Sequence, residues 1–226
     1  MNNLITIGLP SKGRLKDKSI DFFNSKGFEI SSSEGDRNYF ASIKNMPNIK
    51  IIYLHAKEII QRLGDGTLDV GISGLDLLRE SEKNLQEKIV VKRKLDYGNA
   101  NLVVAVPNDW IDVQTIADIE EVAFDIRYKR NKRLRVATKY PNLTNIFLIS
   151  KGVTQYKLIP SLGATETYPF IGSSEIITDI TSTGKTLSDN SLRVLKDGII
   201  LNSKACLLST KKSKAGLDTF LKNLVL

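Results

Sequence analysis

The chain has 226 residues, of which 41% are hydrophobic and 26% charged, which is typical of a globular protein with a substantial core. No apolar run approaches the roughly 18 residues that cross a membrane, and the N-terminus lacks a signal-peptide pattern. The net charge of +8 favours anionic partners, but it does not choose between nucleic acid, phosphorylated small molecules and acidic protein surfaces.

The first part of the chain alternates predicted strands with predicted helices. The segments "LITIGL", "IKIIYLH" and "LDVGIS" are short, apolar and rich in β-branched residues, which predicts strands. The apolar spacing after Leu15 predicts a helix that ends near Gly27, and "AKEIIQRLGDG" and "GLDLLRESEK" predict two more.

The second part continues the alternation. Strands are predicted in "IVVKRKL", "NANLVVAVP", "RVATK", "TQYKLIP" and "EIITDI", and helices in "PNLTNIFLISKG", "TETYPFIG" and "AGLDTFLKNLVL". The segment "LRVLKDGIILNSKACLLST" predicts a hairpin that turns at Asp197–Gly198, because Asp-Gly favours a type I′ turn.

This order predicts an α/β protein of two domains. The strand–helix rhythm restarts near Gly98, and the C-terminal segment is expected to return to the first domain. We therefore predict a discontinuous domain I over residues 1–99 and 189–226, and a domain II over residues 100–188.

Cysteine and histidine are too few for several kinds of chemistry. Cys206 is the single cysteine, so no internal disulfide forms and a reducing, cytoplasmic location is expected. His55 is the single histidine, which leaves too few ligands for a zinc site built on Cys and His. His55 follows a predicted strand, and a structural role is the favoured interpretation.

Three turns share one design, in which a strand leads through small residues into a helix. They are "GLPSKGRL", "DVGISGLD" and "DITSTGKTL", and such turns offer backbone N–H groups and helix N-termini to anions. Together they predict a ligand with several phosphates. Lys12 and Arg14 in the first turn oppose the helix dipole, which indicates a bound anion; the alternative is a solvated helix start.

The loop "DITSTGKTL" resembles the end of a Walker A motif, but Asp179 stands where that motif requires its first glycine. A carboxylate there repels a triphosphate and suits the hydroxyl groups of a ribose. The hydroxyls of Ser182, Thr183 and Thr186 and the backbone at Gly184 suit a phosphate. The loop therefore predicts a phosphorylated ribose as its ligand.

Five segments, in order and spacing, resemble the short form of the ATP phosphoribosyltransferase family: "LPSKGRL", "DVGISGLDLLRE", "RVATKYPNLT", "SLGATE" and "SEIITDITSTGKTL". The resemblance implies two α/β domains with a cleft between them, similar to the type II periplasmic-binding-protein fold. It implies the first step of histidine biosynthesis, in which N1 of ATP is joined to C1 of phosphoribosyl pyrophosphate and pyrophosphate is released, with Mg²⁺ as cofactor. It also implies a homodimer and a hetero-oligomer with a histidyl-tRNA-synthetase-like regulatory subunit.

The resemblance also implies site residues. The catalytic cations are expected at Lys12, Arg14 and Arg37. Phosphoribosyl pyrophosphate is expected at Glu175, Asp179, Ser182, Thr183, Gly184, Lys185 and Thr186. The nucleotide is expected at Gly13, Asp69, Gly71, Ser73 and Gly74. Glu175 stands where the family usually has Asp, and His55 stands where many relatives have Arg; His55 is assigned no role, and metal ligands are not assigned.

Two other functions fit parts of the sequence. A non-catalytic small-anion-binding protein of the same fold would use the same turns, although Lys12, Arg14 and Asp179 argue for an enzyme. The basic run "RYKRNKRLR", Arg127–Arg135, suits nucleic acid, but it has one aromatic residue and no recognisable nucleic-acid motif. A solvated loop or a surface for an acidic partner is favoured, and neither nucleic acid nor a membrane is an expected partner.

Overall fold

The computed structural model describes residues 4–32, 39–212 and 214–225, and over these the chain forms two compact units. Unit 1 comprises Met1–Gly98 and Lys204–Leu226, and unit 2 comprises Asn99–Ser203. The sequence predicted that the chain returns to the first domain at residue 189, but in the structure it returns at Lys204. The segment 189–203 belongs to unit 2, because its strand pairs within the sheet of that unit.

Unit 1 is built on a mixed sheet with the strand order β2-β3-β4-β1-β5-β12-β6. Its strands are β1 (Ile5–Pro10), β2 (Ile30–Ser32), β3 (Phe40–Ile43), β4 (Met46–Leu54), β5 (Val70–Gly74), β6 (Ile89–Lys94) and β12 (Ala205–Thr210). Its helices are α1 (Gly13–Ser25), α2 (Ala56–Asp65), α3 (Leu75–Glu80), α4 (Lys83–Gln86) and α8 (Leu217–Val225). Strands β4, β1 and β5 are neighbours and run parallel.

Helices cover both faces of this sheet, which explains why its central strands read as continuous apolar runs. On one face Phe23 of α1 and Phe220 of α8 pack with Ile7 and Ile51. On the other face α2 and α3 pack against β5 and β12. The C-terminal caps follow the sequence signals: Gly27, at φ 80°, follows α1 as predicted, and Gly66, at φ 81°, ends α2.

Unit 2 is built on a second mixed sheet with the order β11-β7-β10-β8-β9, in which β10, β8 and β9 run parallel. Its strands are β7 (Ala100–Pro107), β8 (Leu134–Thr138), β9 (Tyr156–Pro160), β10 (Ile176–Thr181) and β11 (Leu192–Ser203). Its helices are α5 (Ile116–Arg130), α6 (Pro141–Ser150) and α7 (Lys185–Asp189). One core lies under α5 and α6, and a second lies under α7.

The predicted hairpin at Asp197–Gly198 is wrong. β11 runs through both residues and pairs with β7, with its register shifting between Val194 and Ile199. Such a shift marks a bulge, which bends a strand without ending it. β12 lies in the other sheet, between β5 and β6, so it is no partner of β11.

Two smaller predictions also change. The segment "TETYPFIG" forms only a single 3₁₀ turn, Thr165–Thr167, and not a longer helix. The basic run is not one loop, because its first four residues end α5 and Arg135 lies in β8. Among the described residues, no helix is both long and apolar enough to span a bilayer.

Candidate active site

The carboxyl ends of three neighbouring parallel strands form one edge of the sheet in unit 1. β4, β1 and β5 end at this edge, with Pro10 beside Leu54 in the register. Helices α2, α1 and α3 begin directly after these strands. Since each helix N-terminus carries unpaired N–H groups and a partial positive charge, this edge favours anions.

The first turn of α1 concentrates positive charge at this edge. Lys12 is the N-cap residue in an extended conformation, and its side chain makes no capping hydrogen bond. The first turn of α1 contains no acidic residue. Gly13 has φ 65°, a conformation that suits glycine. Lys12 and Arg14 are exposed, so two cations and uncapped N–H groups are available to one anion. Arg37, the third predicted cation, lies outside the described residues.

The single histidine has a structural task. His55 is the N-cap residue of α2, and its Nδ1 accepts a hydrogen bond from the Lys57 N–H at 3.3 Å. This contact fits the interpretation of His55 as a structural residue, which stays a prediction.

The predicted nucleotide residues of β5 are spread along the strand. Ser73 and Gly74 lie at the carboxyl end, where Gly74 is the N-cap residue of α3 and Ser73 Oγ donates to Ala56 O at 2.8 Å. Gly71 is buried within the strand. Its lack of a side chain leaves room for Ile59, so Gly71 serves the packing of α2 on the sheet.

Asp69 directly precedes β5, so it lies at the amino end of this strand, and Ser73 and Gly74 lie at its carboxyl end. Its carboxylate accepts the Thr6 N–H at 2.8 Å and forms an ion pair with Lys214 at 2.7 Å. A five-residue strand spans about 17 Å, so Asp69 is remote from Gly74. The predicted nucleotide contact is therefore not supported by this placement, and Asp69 fixes the β1–β5 pair instead.

In unit 2 the parallel strands β8 and β10 bring two charged residues together. Thr138 of β8 and Thr178 of β10 are register partners. Lys139 follows Thr138, and Asp179 follows Thr178. Lys139 Nζ lies 3.4 Å from Asp179 Oδ2, and the Ile180 N–H donates to Asp179 Oδ1 at 2.8 Å. The Asp179 carboxylate is almost wholly buried and thus held in one orientation.

A cluster of buried hydroxyls fixes the backbone below this ion pair. Thr178 Oγ1 donates to Thr138 Oγ1 at 2.6 Å, and Thr144 Oγ1 of α6 lies 2.7 Å from Thr178 Oγ1. The Tyr140 N–H also donates to Thr138 Oγ1, at 2.8 Å. Because buried polar groups that are fully paired hold their partners in place, the cluster ties β8, β10 and α6 together next to Asp179.

The predicted phosphate loop follows the carboxyl end of β10. Gly184 has φ 75° and is the N-cap residue of α7, and its N–H donates to Thr181 Oγ1 at 2.9 Å. Ser182 and Thr186 are exposed, and their hydroxyls meet no partner within the part of the chain that the structure describes. Lys185 forms an exposed ion pair with Asp189, and the Lys185 N–H donates to Thr183 Oγ1 at 3.4 Å. The exposed hydroxyls are therefore the groups presented at the loop.

Glu175 does not belong with this loop. It precedes β10 at the amino end, and its carboxylate accepts hydrogen bonds from the Arg135 backbone N–H at 2.6 Å and from the Arg135 guanidinium at 2.6 Å. The hydrogen bond to Glu175 raises the pKa of Arg135 above its usual value. Since β10 separates Glu175 from Ser182 by about 20 Å, a ribose contact of Glu175 is not supported.

We predict that Glu175→Gln leaves the Michaelis constant for phosphoribosyl pyrophosphate unchanged. The pair with Arg135 is partly exposed, so the free energy of unfolding should fall by no more than about 1 kcal/mol. Urea denaturation and steady-state kinetics on the same protein measure both effects. A severalfold rise of the Michaelis constant without loss of stability would return Glu175 to the site.

Lys139 is a residue of this site that the sequence reasoning left without a role. It is the last residue of the predicted strand "RVATK" and directly follows β8, but only the parallel register of β8 and β10 places its ammonium beside Asp179. The signal in the sequence is a cation at the carboxyl end of β8, because β8 pairs with β10, the strand that leads into the phosphate loop.

Comparison with known proteins identifies the family of the chain. The family model of HisG, described as ATP phosphoribosyltransferase, matches residues 55–225. The chain belongs to the ATP phosphoribosyltransferase family. A relative from Brucella melitensis with that name is 46% identical over 210 residues, which are 92% of this chain and 91% of the relative. The resemblance drawn from the five sequence segments is thus confirmed.

Comparison with solved structures shows the fold of the chain. The chain superposes with a TM-score of 0.73 on the "ATP phosphoribosyl transferase (HisG:HisZ) complex from Thermotoga maritima", at 23% identity and with coverage of 98% and 96%. An extracellular-binding protein of a probable amino-acid ABC transporter from Bacillus subtilis gives 0.56 at 13% identity, with coverage of 98% and 88%. The predicted α/β fold of the periplasmic-binding type is confirmed.

Proposed function

We propose that this chain transfers the phosphoribosyl group of phosphoribosyl pyrophosphate to N1 of ATP and releases pyrophosphate, the first step of histidine biosynthesis. The observation that carries the proposal, beside the family, is the carboxyl edge of β10. There a buried, oriented Asp179 is followed by a loop with exposed hydroxyls and a left-handed glycine. A non-catalytic anion-binding protein is not favoured, because the relatives of this length are named as the enzyme.

The loop and Asp179 divide the recognition of the sugar phosphate. Ser182, Thr183, Gly184, Lys185 and Thr186 surround the 5-phosphate with hydroxyls and backbone N–H groups, and α7 begins there. An ionised carboxylate offers about four acceptor positions. Donors from Ile180 and Lys139 occupy two of them in Asp179, which leaves acceptor capacity for the ribose hydroxyls.

The chemistry requires no strong base, because N1 of adenine already carries a lone pair. The barrier lies in the departure of pyrophosphate from a carbon that gains positive character. Lys12, Arg14 and Arg37 supply cations for the charge that grows on the leaving group. Gly13, Ser73 and Gly74 contribute backbone at the same edge for the nucleotide phosphates. Holding N1 in line with C1 supplies much of the remaining rate.

Magnesium enters this proposal with the substrate. No group of three or more His, Cys, Asp or Glu side chains that could hold a metal ion occurs in the described ranges. Mg²⁺ commonly binds through one or two carboxylates together with substrate phosphates. Asp179 is the carboxylate beside the phosphate loop, so its side chain and the pyrophosphate fit such binding. When bound, Mg²⁺ would neutralise charge on the pyrophosphate.

We further propose a cytoplasmic homodimer that assembles with a regulatory subunit. The family of the chain and the HisG:HisZ complex of the Thermotoga maritima structure support the hetero-oligomer. The relatives named above do not specify nucleic acid as a partner, and we propose none for this chain.

We predict that Lys139→Met raises the Michaelis constant for phosphoribosyl pyrophosphate about tenfold, while that for ATP changes little. Without the ammonium, the buried Asp179 carboxylate loses a charge-assisted hydrogen bond worth about 1.5–3 kcal/mol and its fixed orientation. Lys139→Arg is the matched variant, because it keeps the charge and should recover most of the affinity. Equal loss in both variants, or a loss confined to ATP, would contradict the positioning role.

The proposed activity is tested by incubating the purified chain with ATP, phosphoribosyl pyrophosphate and Mg²⁺, with and without a regulatory subunit of the same organism. Ultraviolet absorbance of the N1-substituted adenine and release of pyrophosphate should rise together. Mixtures without phosphoribosyl pyrophosphate are the control. Tight binding of phosphoribosyl pyrophosphate without either product, under both conditions, would favour the anion-binding alternative.

A further inference from the structure

Unit 2 contains a basic cleft that is not part of the candidate active site. The cleft has a volume of about 680 Å³ and is formed by the end of α5, the turn after it and the first residues of β8 and β9. Six of its lining side chains are cations, namely Arg127, Arg130, Lys132, Arg133, Arg135 and Lys157. The phosphate loop after β10 does not line this cleft.

The path of the chain gathers these cations around one concavity. Asn131, at φ 50°, ends α5, and the chain then turns into β8. In the parallel register of β8 and β9, Lys157 is the partner of Arg135, so two cations distant in sequence become neighbours. Glu175, which also lines the cleft, precedes β10 and lies about 20 Å from Ser182 along that strand. The cleft is therefore remote from the phosphate loop.

The carboxylate in the wall of the cleft is already paired. Glu175 accepts hydrogen bonds from the Arg135 backbone N–H and from the Arg135 guanidinium, both at 2.6 Å. This pair adds little net charge to the cleft. Within the ranges that the structure describes, the other five lining cations form no ion pair with a carboxylate. The cleft therefore holds an excess of positive charge.

The fold explains only part of this charge. Arg127 and Arg130 lie in the last turn of α5, where cations suit the helix dipole. Lys132, Arg133 and Lys157 lie outside the helix, so the dipole gives no reason for them. Like charges gathered around one concavity repel each other, and an anion bound among them would offset this cost.

We propose that this cleft binds a small molecule that carries several linked phosphate groups. The volume of the cleft lies within the range of small-molecule pockets. Guanidinium groups bind phosphate oxygens in pairs, and ammonium groups add mobile point charges. Linked phosphates concentrate negative charge in a small volume, which suits cations that surround the ligand on several sides. This inference does not depend on the proposed function.

Two macromolecular ligands fit the cleft less well. Single-stranded nucleic acid is commonly bound by aromatic side chains on which its bases stack, and the described side chains that line the cleft include no aromatic ring. An acidic protein segment carries single charges on separate side chains, and ordering these side chains costs conformational entropy. A polyphosphate brings its charges already linked, so less freedom is lost on binding.

Calorimetric titration of tripolyphosphate into the purified chain, without Mg²⁺, tests the cleft. The test variant is Arg133→Gln with Lys157→Gln, which removes two exposed cations from the cleft. The matched control is Lys88→Gln with Lys92→Gln, which removes two exposed cations from unit 1 and gives the same net charge. Because hydrogen bonds from cations to phosphate are charge-assisted, affinity should fall at least about tenfold in the test variant and less than about twofold in the control.

Further arms of the experiment identify the position and the class of the ligand. Gly184→Val disturbs the phosphate loop and should retain the tripolyphosphate binding that the test variant loses. A short glutamate peptide and a short single-stranded oligonucleotide should bind more weakly than tripolyphosphate at physiological salt. Thermal unfolding checks that each variant folds.

Several results would overturn the inference. They are a native chain that does not bind tripolyphosphate, equal affinity in the native chain and the test variant, a loss in Gly184→Val that matches the loss in the test variant, and tighter binding of the peptide or the oligonucleotide. Binding is measured without catalysis, so these outcomes leave the proposed activity untouched.

Discussion

Replacing Arg14 by alanine is expected to lower kcat about a hundredfold or more, while the Michaelis constant for phosphoribosyl pyrophosphate changes little. A fixed cation that meets developing charge on the leaving group contributes about 3 kcal/mol to the stabilisation of the transition state. Arg14 is exposed in the first turn of α1, and this turn contains no acidic residue. Arg37→Ala is expected to act in the same direction. Steady-state kinetics with each substrate varied in turn measure the effect.

The matched control for Arg14 is Arg62→Ala. Arg62 lies in the last turn of α2 and forms an exposed ion pair with Glu58, so its loss removes a surface arginine from the same unit. Its kinetic constants should stay close to those of the native chain. A raised Michaelis constant with unchanged kcat in Arg14→Ala would mean uniform binding of substrate and transition state, which is incompatible with the leaving-group role.

Local signals predicted most helices and strands because their causes are local. The apolar period and Gly66 define α2, and Gly27 follows α1 where a terminal glycine was expected. The Asp-Gly signal at Asp197 failed for the opposite reason. Its preference for a tight turn is weaker than the pairing of β11 along β7, and pairing depends on residues about a hundred positions away.

The site residues show a related limit. Asp69 and Glu175 stand in the same sequence segments as Gly74 and Asp179, but each lies at the amino end of its strand, and the turn lies at the other end. A linear sequence motif does not show that the two ends of a strand are far apart in space. Lys139 shows the converse, since a neighbouring strand brings it to Asp179 from forty positions away. Strand direction and register, which the sequence does not state, decide both cases.

The loop after β10 is expected to serve phosphoribosyl pyrophosphate and not ATP. Asp179→Asn keeps the shape of the side chain but removes a charged acceptor, which should weaken phosphoribosyl pyrophosphate binding by about 1.5–3 kcal/mol. Gly184→Val forces a β-branched residue into a backbone at φ 75°, which costs about 1–3 kcal/mol and disturbs the loop. Calorimetric titration of each ligand should show ATP affinity close to native in both variants.

Gly152→Val separates the site effect from the backbone effect. Gly152 has φ 83° and, like Gly184, open space where a Cβ would lie, but it follows α6 and not the loop. Both valine variants should lose stability, and only Gly184→Val should lose phosphoribosyl pyrophosphate affinity. Lys185→Ala should be mild, because Lys185 is exposed and paired with Asp189. If Lys185→Ala abolishes ATP binding and leaves phosphoribosyl pyrophosphate binding intact, the loop is of the Walker type and its ligand is ATP, because a Walker lysine binds the β- and γ-phosphates directly.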